Sequence, residues 1–364
     1  MEKFVEKKPF PPPPVALRVP KVFGLENRRV LGDKSGPLME TSNLDYHDLA
    51  TKIVDLFGKK YLVYPNLNVQ CRITRLCDSL CEFCIEHFDD CVLMESTDEV
   101  LAERLGHVFQ EFMLSDVFPS CTITGGEPVL LPKRLKAILN KLKEIGVHKY
   151  NLNTNGSRID DELGAFLAQN ELPYLNISLH HWDPAINRAI FKNRNAIGMN
   201  QVSEILKRVG GGTYGKTPRV RLQCVLLEGY VDSISSIEEY IQRAIDAGVD
   251  NIAFRGLSDL SHGQYNQNRV SMAKLLDNLA TSANCDWRFI CQNVADWYVY
   301  EDWLYKGVDV HLNFSNMDFL RQFESLERQS GKQYGREFVV FEDAAFAGSW
   351  NRDFSLILPG QSRK

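Results

Sequence analysis

Segments of strand length alternate with segments of helix length from about residue 62 to residue 255, and this alternation constrains the fold most strongly. The strand-like segments are apolar, and the segments between them are amphipathic. Such alternation predicts a parallel sheet of βα units, with functional groups on the loops after the strand carboxyl ends. The predicted strands are 67–73, 121–124, 149–153, 174–178, 220–227 and 251–255, and the predicted helices are 97–112, 131–145, 160–169, 198–208 and 236–247.

The chain is predicted to have three parts. Residues 1–61 include Pro9 and the run Pro11 to Pro14, which favour extended backbone, so this part is predicted to be a strap over the main domain or an active-site lid. Residues 62–282 form the main domain. Residues 283–364 change to hairpin-like segments at 286–290, 297–303, 309–314 and 337–341, with a short helix at 321–330. They are predicted to form an α+β extension that caps the open end of a barrel.

Composition narrows the classes of function. A net charge of −5 disfavours nucleic-acid binding, which usually needs a basic face. The sequence has no apolar run long enough to cross a bilayer, and the amino terminus lacks the apolar segment of a signal peptide. We therefore expect a cytoplasmic protein with no membrane partner. In that compartment we expect its nine cysteines to be metal ligands, catalytic groups or small core residues rather than members of disulfides.

Three of these cysteines, Cys77, Cys81 and Cys84, have the spacing C-x3-C-x2-C directly after a predicted strand. Three thiolates on one short loop can hold three irons of a [4Fe–4S] cubane and leave the fourth iron open for a substrate. Electron-transfer clusters use four cysteines instead. A zinc site with His87 or Cys91 as a fourth ligand is an alternative. Three further cysteines within predicted strands read as core residues: Cys71, Cys121 and Cys224.

This loop resembles the signature of the radical S-adenosylmethionine (SAM) superfamily, in which an aromatic residue precedes the last cysteine. Phe83 fills the aromatic position. Gly125, Gly126 and Glu127 follow the next strand and resemble the family's GGE motif. In that motif the glycines let the backbone approach a ligand, and the carboxylate accepts hydrogen bonds from the SAM ammonium group.

The resemblance also implies SAM contacts after the later strands. Asn155 and Ser157 stand in the family's third-strand turn, and Ser178 at the end of the fourth strand would face the ribose or methionine part of SAM. Arg221 and Gln223 share one face of the fifth strand; if that face is inward, Arg221 could pair with the SAM carboxylate, and an arginine on the barrel exterior is the alternative. The backbone near Leu257, after the sixth strand, would form the adenine site.

The fold implied by the resemblance is an α/β, partial (β/α)6 TIM-type barrel with one [4Fe–4S] cluster and SAM as cofactors. An external one-electron donor such as flavodoxin or ferredoxin would reduce the cluster. The loop of residues 179–184 lies at the catalytic end, where His180 or Asp183 could act as a general acid or base. Solvent exposure of the histidines and helix capping by Asp183 are the alternatives.

The segment 297–350 resembles a degenerate form of the carboxyl-terminal part of the GTP 3′,8-cyclase branch, which holds a second cluster on three cysteines. No cysteine follows Cys291 here, so we expect a single cluster. The resulting prediction is a radical SAM enzyme acting on a small molecule such as a nucleotide, sugar or other metabolite. Modification of a peptide or protein, and a non-enzymatic iron–sulfur or zinc protein, are the alternatives.

Overall fold

The computed structural model describes residues 52–84, 95–211, 217–257, 270–281, 286–295, 298–315 and 334–361. Thirteen strands lie within these ranges: β1 (Lys52–Leu56), β2 (Lys59–Arg72), β3 (Ser120–Thr124), β4 (Tyr150–Thr154), β5 (Tyr174–Ser178), β6 (Arg219–Val225), β7 (Asn251–Arg255), β8 (Trp287–Ala295), β9 (Tyr298–Tyr305), β10 (Val308–Ser315), β11 (Tyr334–Val340), β12 (Phe346–Ala347) and β13 (Leu356–Leu358). The α-helices described are α1 (Asp98–Leu114), α2 (Pro132–Glu144), α3 (Asp161–Gln169), α4 (Pro184–Phe191), α5 (Met199–Val209), α6 (Ile234–Asp246), α7 (Met272–Thr281) and α8 (Arg352–Ser355).

The centre of the sheet is parallel and follows chain order. Strands β2 to β7 lie side by side, and each neighbouring pair is parallel. Helices connect these strands, as βα units require. The predicted α/β class and its parallel sheet are confirmed, and the sheet is not closed into a full barrel.

Capping residues set the beginnings of several helices. Thr97 precedes α1, and its side chain accepts a hydrogen bond from the backbone N–H of Val100 at 3.3 Å. Asp160 precedes α3 and accepts from the N–H of Leu163 at 2.8 Å. These starts agree with the sequence prediction to within a residue, because capping is a local property. The sequence analysis did not predict α4 and α7, which have 8 and 10 residues.

The carboxyl-terminal strands extend the sheet at both edges, although the sequence predicted a cap over an open barrel. Strand β10 pairs in parallel with β7, and β9 and β8 follow it. Strand β11 pairs in parallel with β2, and β12 and β13 follow it. Both edges of the parallel sheet are thereby covered, which satisfies backbone groups that an edge strand leaves unpaired.

The amino-terminal boundary differs as well. Strand β1 forms an antiparallel hairpin with β2, whose first residue is Lys59, so the predicted boundary at residues 61 and 62 falls inside β2. Most of the predicted strap, residues 1–51, lies outside the described residues, and so does the predicted helix 321–330.

The two faces of the sheet differ in chemistry. On β6, Val220, Leu222 and Cys224 are fully buried in the main apolar core, whereas Arg221 and Gln223 alternate with them and are partly exposed. Most strands of the centre show the same alternation. We call the opposite surface the polar face; it carries Asn68, Gln70, Thr122, Asn151, Asn153, Asn176, Arg221, Gln223, Asn251 and His311. Parallel sheets covered on both faces are usually apolar on both, so this alternation indicates a polar interior.

Candidate active site

The cysteine loop begins just beyond the carboxyl end of β2. Cys77 is exposed, Cys81 is buried and Cys84 is partly exposed. The N–H of Cys84 donates to the carbonyl of Cys81 at 3.1 Å, and the N–H of Ser79 donates to the sulfur of Cys77 at 3.4 Å. These bonds curl the loop, so the three thiols come from one compact turn.

Burial and mutual repulsion both disfavour thiolates on this loop in the absence of a cation. Burial raises the pKa of Cys81 to about 12, and the thiolates of Cys84 and Cys77 raise it further. Burial likewise raises the pKa of Cys77 to about 11, with Cys84 among the smaller contributions. Three thiols that affect one another in this way form a donor set suited to a cationic iron cluster, which deprotonates its ligands on binding.

A single metal ion, such as zinc, is the alternative occupant of this loop. In the part of the chain that the structure describes, no three His, Cys, Asp or Glu side chains group closely enough to hold one ion. A cubane does not need that grouping, because each of its cysteines binds a different iron. His87 and Cys91, the alternative fourth ligands, lie outside the described residues.

The glycine pair after β3 packs against the segment that leads into the cysteine loop. A Cβ on Gly126 would lie 2.2 Å from the carbonyl oxygen of Leu76, and one on Gly125 would lie 2.3 Å from that of Thr74. The N–H of Gly126 donates to the Thr74 carbonyl at 2.8 Å, and the N–H of Glu127 donates to the Leu76 carbonyl at 2.7 Å. The close approach that requires glycine here is therefore to the protein's own backbone.

Glu127 is buried and well supplied with donors. Its carboxylate accepts from the hydroxyl of Thr154 at 2.6 Å, the N–H of Asn155 at 2.6 Å and the N–H of Val129 at 3.2 Å. Burial nevertheless raises its pKa to about 7, because the desolvation cost exceeds the gain from these donors. A cation placed beside this carboxylate, such as the ammonium group of SAM, would favour its charged form.

A polar network fixes the cysteine loop to the turn after β4. The carboxylate of Asp78 accepts from the amide of Asn155 and from the hydroxyl of Ser157, each at 2.7 Å. The hydroxyl of Ser79 accepts from the amides of Asn155 at 3.2 Å and Asn193 at 3.0 Å. Asn155 and Ser157 thus contact the loop itself, and any contact of theirs with SAM stays a prediction.

Two ion pairs of buried arginines, which the sequence analysis missed, anchor the same loop. Arg72, the last residue of β2, pairs with Glu342 through its Nε at 2.6 Å and its Nη2 at 3.0 Å. Arg134 of α2 is fully buried; it pairs with Glu95 at 2.9 Å and donates to the carbonyl of Ile73 at 2.8 Å. Partners this distant in sequence leave no local pattern, so only the fold brings them together.

Phe83 packs against His180. The two rings meet edge to face with centroids 5.1 Å apart, and His180 stacks on Phe191 at 4.6 Å. The Nδ1 atom of His180 accepts from the N–H of Val225 at 3.1 Å, and burial lowers the pKa of His180 to about 3. The imidazole is therefore neutral at physiological pH and supports the aromatic ring of the loop.

Asp183 caps α4. Its carboxylate accepts from the N–H groups of Ala185 at 2.7 Å and Ile186 at 3.2 Å, and these bonds lower its pKa. The capping alternative matches these contacts, and the solvent-exposed alternative does not describe His180, which is buried. The contacts give no support to acid–base catalysis by either residue, a role that stays a prediction.

The remaining predicted SAM contacts lie along the sheet. Ser178 and Gln223 are direct register partners on β5 and β6, and Leu257 lies two residues after the end of β7. Arg221 hydrogen-bonds to Asn251 and His311 and has no contact with the cysteine loop. The structure thus brings the loops after β2, β3 and β4 together and places Arg221 on the polar face. Cys71, Cys121 and Cys224 are fully buried, which confirms them as core residues.

None of the described helices is both long and apolar enough to cross a membrane.

Two curated proteins that the chain resembles are named as GTP 3′,8-cyclases. The chain is 30% identical to the probable GTP 3′,8-cyclase of Sulfolobus acidocaldarius over half of this chain and 52% of that protein. It is 26% identical to the GTP 3′,8-cyclase of Haemophilus ducreyi over 49% of this chain and 48% of that one. The chain therefore spans about half the length of these relatives.

Solved structures share the fold. Streptococcus suis SuiB bound to S-adenosylmethionine has a TM-score of 0.53 at 14% identity, covering 80% of this chain and 60% of that one. The anSMEcpe structure with bound AdoMet has a TM-score of 0.51 at 16% identity, covering 80% and 77%. At these identities the likeness concerns the fold alone.

The sequence profile of the Radical SAM superfamily matches residues 71–217, which run from the end of β2 to just before β6. This range includes the cysteine loop, the glycine pair and the turn after β4. Proteins of this family bind a [4Fe–4S] cluster and SAM. Residues 71–217 are therefore a radical SAM domain.

Proposed function

We propose that this chain is a radical SAM enzyme that acts on a small polar molecule such as a nucleotide, a sugar or another metabolite. One observation carries the proposal: the glycine pair packs against the segment that leads into the loop of Cys77, Cys81 and Cys84, and the loop itself is hydrogen-bonded to the turn after β4. Those two neighbours are the segments in which the sequence places the SAM contacts. A site for three irons thus lies beside a candidate site for SAM.

The residues of the site have separable roles in this proposal. The three thiolates hold the cluster, and Glu127 offers its buried carboxylate to the SAM ammonium group. Asp78 and Ser79 hold the loop against the β4 turn, and His180 supports Phe83 from behind. When bound, the cluster and SAM supply one-electron cleavage of the sulfonium to methionine and a 5′-deoxyadenosyl radical, which removes a hydrogen atom from the substrate.

The polar face supports a substrate rich in hydrogen-bonding groups. Its side chains are joined across strands: the amide of Asn176 donates to Asn153 at 2.8 Å, and that of Asn151 donates to Thr122 at 3.0 Å. Carboxamides and hydroxyls offer both donors and acceptors, as sugars and nucleosides do. An external one-electron donor such as flavodoxin or ferredoxin, in a cytoplasmic setting, completes the proposal.

The test is reductive cleavage of SAM. The chain is reconstituted anaerobically with iron and sulfide, mixed with dithionite and SAM, and assayed for 5′-deoxyadenosine and methionine. The variant Cys77→Ala, Cys81→Ala, Cys84→Ala should bind no cluster and form neither product. Cys121→Ala is the matched control, because this thiol lies in the core of the same domain and should leave cluster content unchanged.

Substrates are then compared by how much each raises the yield of 5′-deoxyadenosine. GTP belongs in the panel because two relatives are named for it, and a peptide pool tests the alternative class. Stimulation by nucleotides or sugars supports the small-molecule proposal, whereas stimulation by peptides alone contradicts it. A full cluster that neither binds nor cleaves SAM, with every panel member present, refutes the radical SAM activity itself.

A further inference from the structure

Two arginines on the polar face of β6 have different surroundings. Arg219 is neutralised by acidic neighbours: its Nη2 lies 2.5 Å from a carboxylate oxygen of Asp309 and 4.0 Å from one of Asp250. Arg221 is two residues further along the same face and forms no ion pair with the described carboxylates. One of the two cations thus has a carboxylate in direct contact, and the other has only neutral side chains as hydrogen-bond partners.

Neutral groups hold Arg221 in place. Its Nε donates to the side-chain oxygen of Asn251 at 2.5 Å, and its Nη2 faces the Nε2 atom of His311 at 3.4 Å. A guanidinium group has five N–H donors, so these two contacts leave three for another acceptor. Burial lowers the pKa of Arg221 and the charge of Arg219 lowers it further, whereas the carboxylates of Asp302 and Asp309 raise it. These carboxylates form no direct ion pair with Arg221, so an anion that contacts the guanidinium would stabilise this partly buried cation.

The orientation of His311 is fixed from behind by Asp302. The two residues are direct register partners on β10 and β9, and the Nδ1 atom of His311 lies 2.6 Å from the carboxylate of Asp302. This contact places the ring proton on Nδ1 and leaves Nε2 as an acceptor for Arg221. The side chains of His311 and Asp302 are 22% and 30% exposed, so solvent and small solutes can reach them.

All four residues lie outside the range 71–217 that matches the superfamily. Asn251 is on β7, while Asp302 and His311 belong to the strands that extend the sheet beyond it. The superfamily shares its cofactor, whereas the substrate distinguishes one protein from another. A site built outside the shared range is therefore better suited to the substrate than to SAM. The charge and geometry of the cluster indicate what kind of group it takes.

We propose that Arg221, held by Asn251 and by the Asp302–His311 pair, binds an oxyanion of the substrate, either a carboxylate or a phosphate. That the bound anion belongs to a substrate rests on the proposed function. The position of the site rests on the contacts of Arg221 alone. The planar guanidinium fork matches both kinds of oxyanion in a bidentate manner. The substrate is then a small anionic metabolite with further polar groups that face the amide side chains.

Anion binding to the reconstituted protein tests the proposal without turnover. Calorimetric titration uses inorganic pyrophosphate as the phosphate probe and malonate as the carboxylate probe. Arg221→Gln should weaken the better-bound probe by roughly tenfold or more, because a charge-assisted bidentate contact is lost. Arg219→Gln is the matched control and should change it little, since Asp309 already occupies that arginine. Arg221→Lys should retain part of the binding, which separates loss of charge from misfolding.

Separate titrations with SAM distinguish the other source of a carboxylate. SAM affinity unchanged in Arg221→Gln, with the probe weakened, supports the substrate site. SAM affinity reduced with the probe unchanged assigns Arg221 to the SAM carboxylate and overturns the proposal. Wild-type protein that binds neither probe, or an Arg221→Gln variant that binds both normally, overturns it as well. If the wild type fails to cleave SAM, the proposed function is refuted. The anion titrations can still be interpreted, because they measure binding without turnover.

Discussion

Gly126→Ala tests why the site needs its glycine pair. The added methyl carbon would lie 2.2 Å from the carbonyl oxygen of Leu76, 2.6 Å from its carbonyl carbon and 2.7 Å from the carbonyl oxygen of Arg75. All three are backbone atoms, so no side-chain rotation can make room. The β3 turn and the lead-in to the cysteine loop must therefore separate.

The cost follows from what that separation breaks. Two backbone hydrogen bonds cross the contact, from Gly126 to Thr74 at 2.8 Å and from Glu127 to Leu76 at 2.7 Å. Losing them costs about 1 kcal/mol each, and forcing the segments apart adds about 1–3 kcal/mol. We expect the apoprotein to lose roughly 3–5 kcal/mol of unfolding free energy, by the same two terms.

Urea denaturation of the apoprotein measures this loss, and iron and sulfide analysis after reconstitution shows whether the displaced loop still holds a cluster. Gly146→Ala is the matched control. Gly146 has a φ of +75° and no atom within 4 Å of the added carbon, so it carries backbone strain without a clash. That strain should cost about 1 kcal/mol and leave cluster content unchanged.

The two explanations of the glycine differ in the apoprotein. If the glycine serves only to let SAM approach the backbone, the Gly126→Ala apoprotein would have the same unfolding free energy in urea as wild type. The variant would lose only its affinity for SAM. That outcome would refute the packing argument. An unfolding midpoint below that of Gly146→Ala, together with reduced iron content, would agree with it.

Three further variants test other parts of the site. Glu342→Leu leaves Arg72 buried without its counter-ion, so it should cost about 3–5 kcal/mol in urea, and adding Arg72→Met should recover much of this; no recovery would contradict the pairing argument. His180 has a folded pKa of about 3, below its unfolded value of 6.5, so its contribution is present above pH 6.5 and is lost as pH falls. Relative to His180→Asn, wild type should lose about 2 kcal/mol between pH 8 and pH 5, and parallel stability profiles would count against a neutral buried imidazole. Glu127 has a folded pKa of about 7, above its usual 4.5, so its contribution is present below pH 4.5 and is lost as pH rises through 7. Relative to Glu127→Gln, wild-type apoprotein should lose about 3 kcal/mol between low pH and pH 8, and SAM should reduce that loss; a pH-independent difference in denaturation would argue against it.

Local sequence predicted the loops of the site but not what holds them together. The spacing of Cys77, Cys81 and Cys84 and the glycine pair were legible because each motif lies within a few consecutive residues. The contact between those motifs was not, because it joins Thr74 and Leu76 to residues some 50 positions later. The sequence contains one further pattern, which the sequence analysis used only on β6. Polar residues alternate with apolar ones on several parallel strands, which indicates a polar interior.

The sequence by itself determined the class of fold and most of the central strands and helices, and it predicted Cys77, Cys81 and Cys84 as the donor set of the iron–sulfur cluster. These depend on periodicity, capping and short motifs, which act over one or two turns of chain. Only the tertiary structure decided which strands lie at the edges of the sheet and that Arg72 pairs with Glu342. It also decided that Arg221 lies beside Asn251, His311 and Asp302. Each of these joins residues separated by tens to hundreds of positions. Whether a buried charge is paired within the protein or left for a ligand depends on which strands become neighbours, and that is fixed only when the whole sheet has assembled.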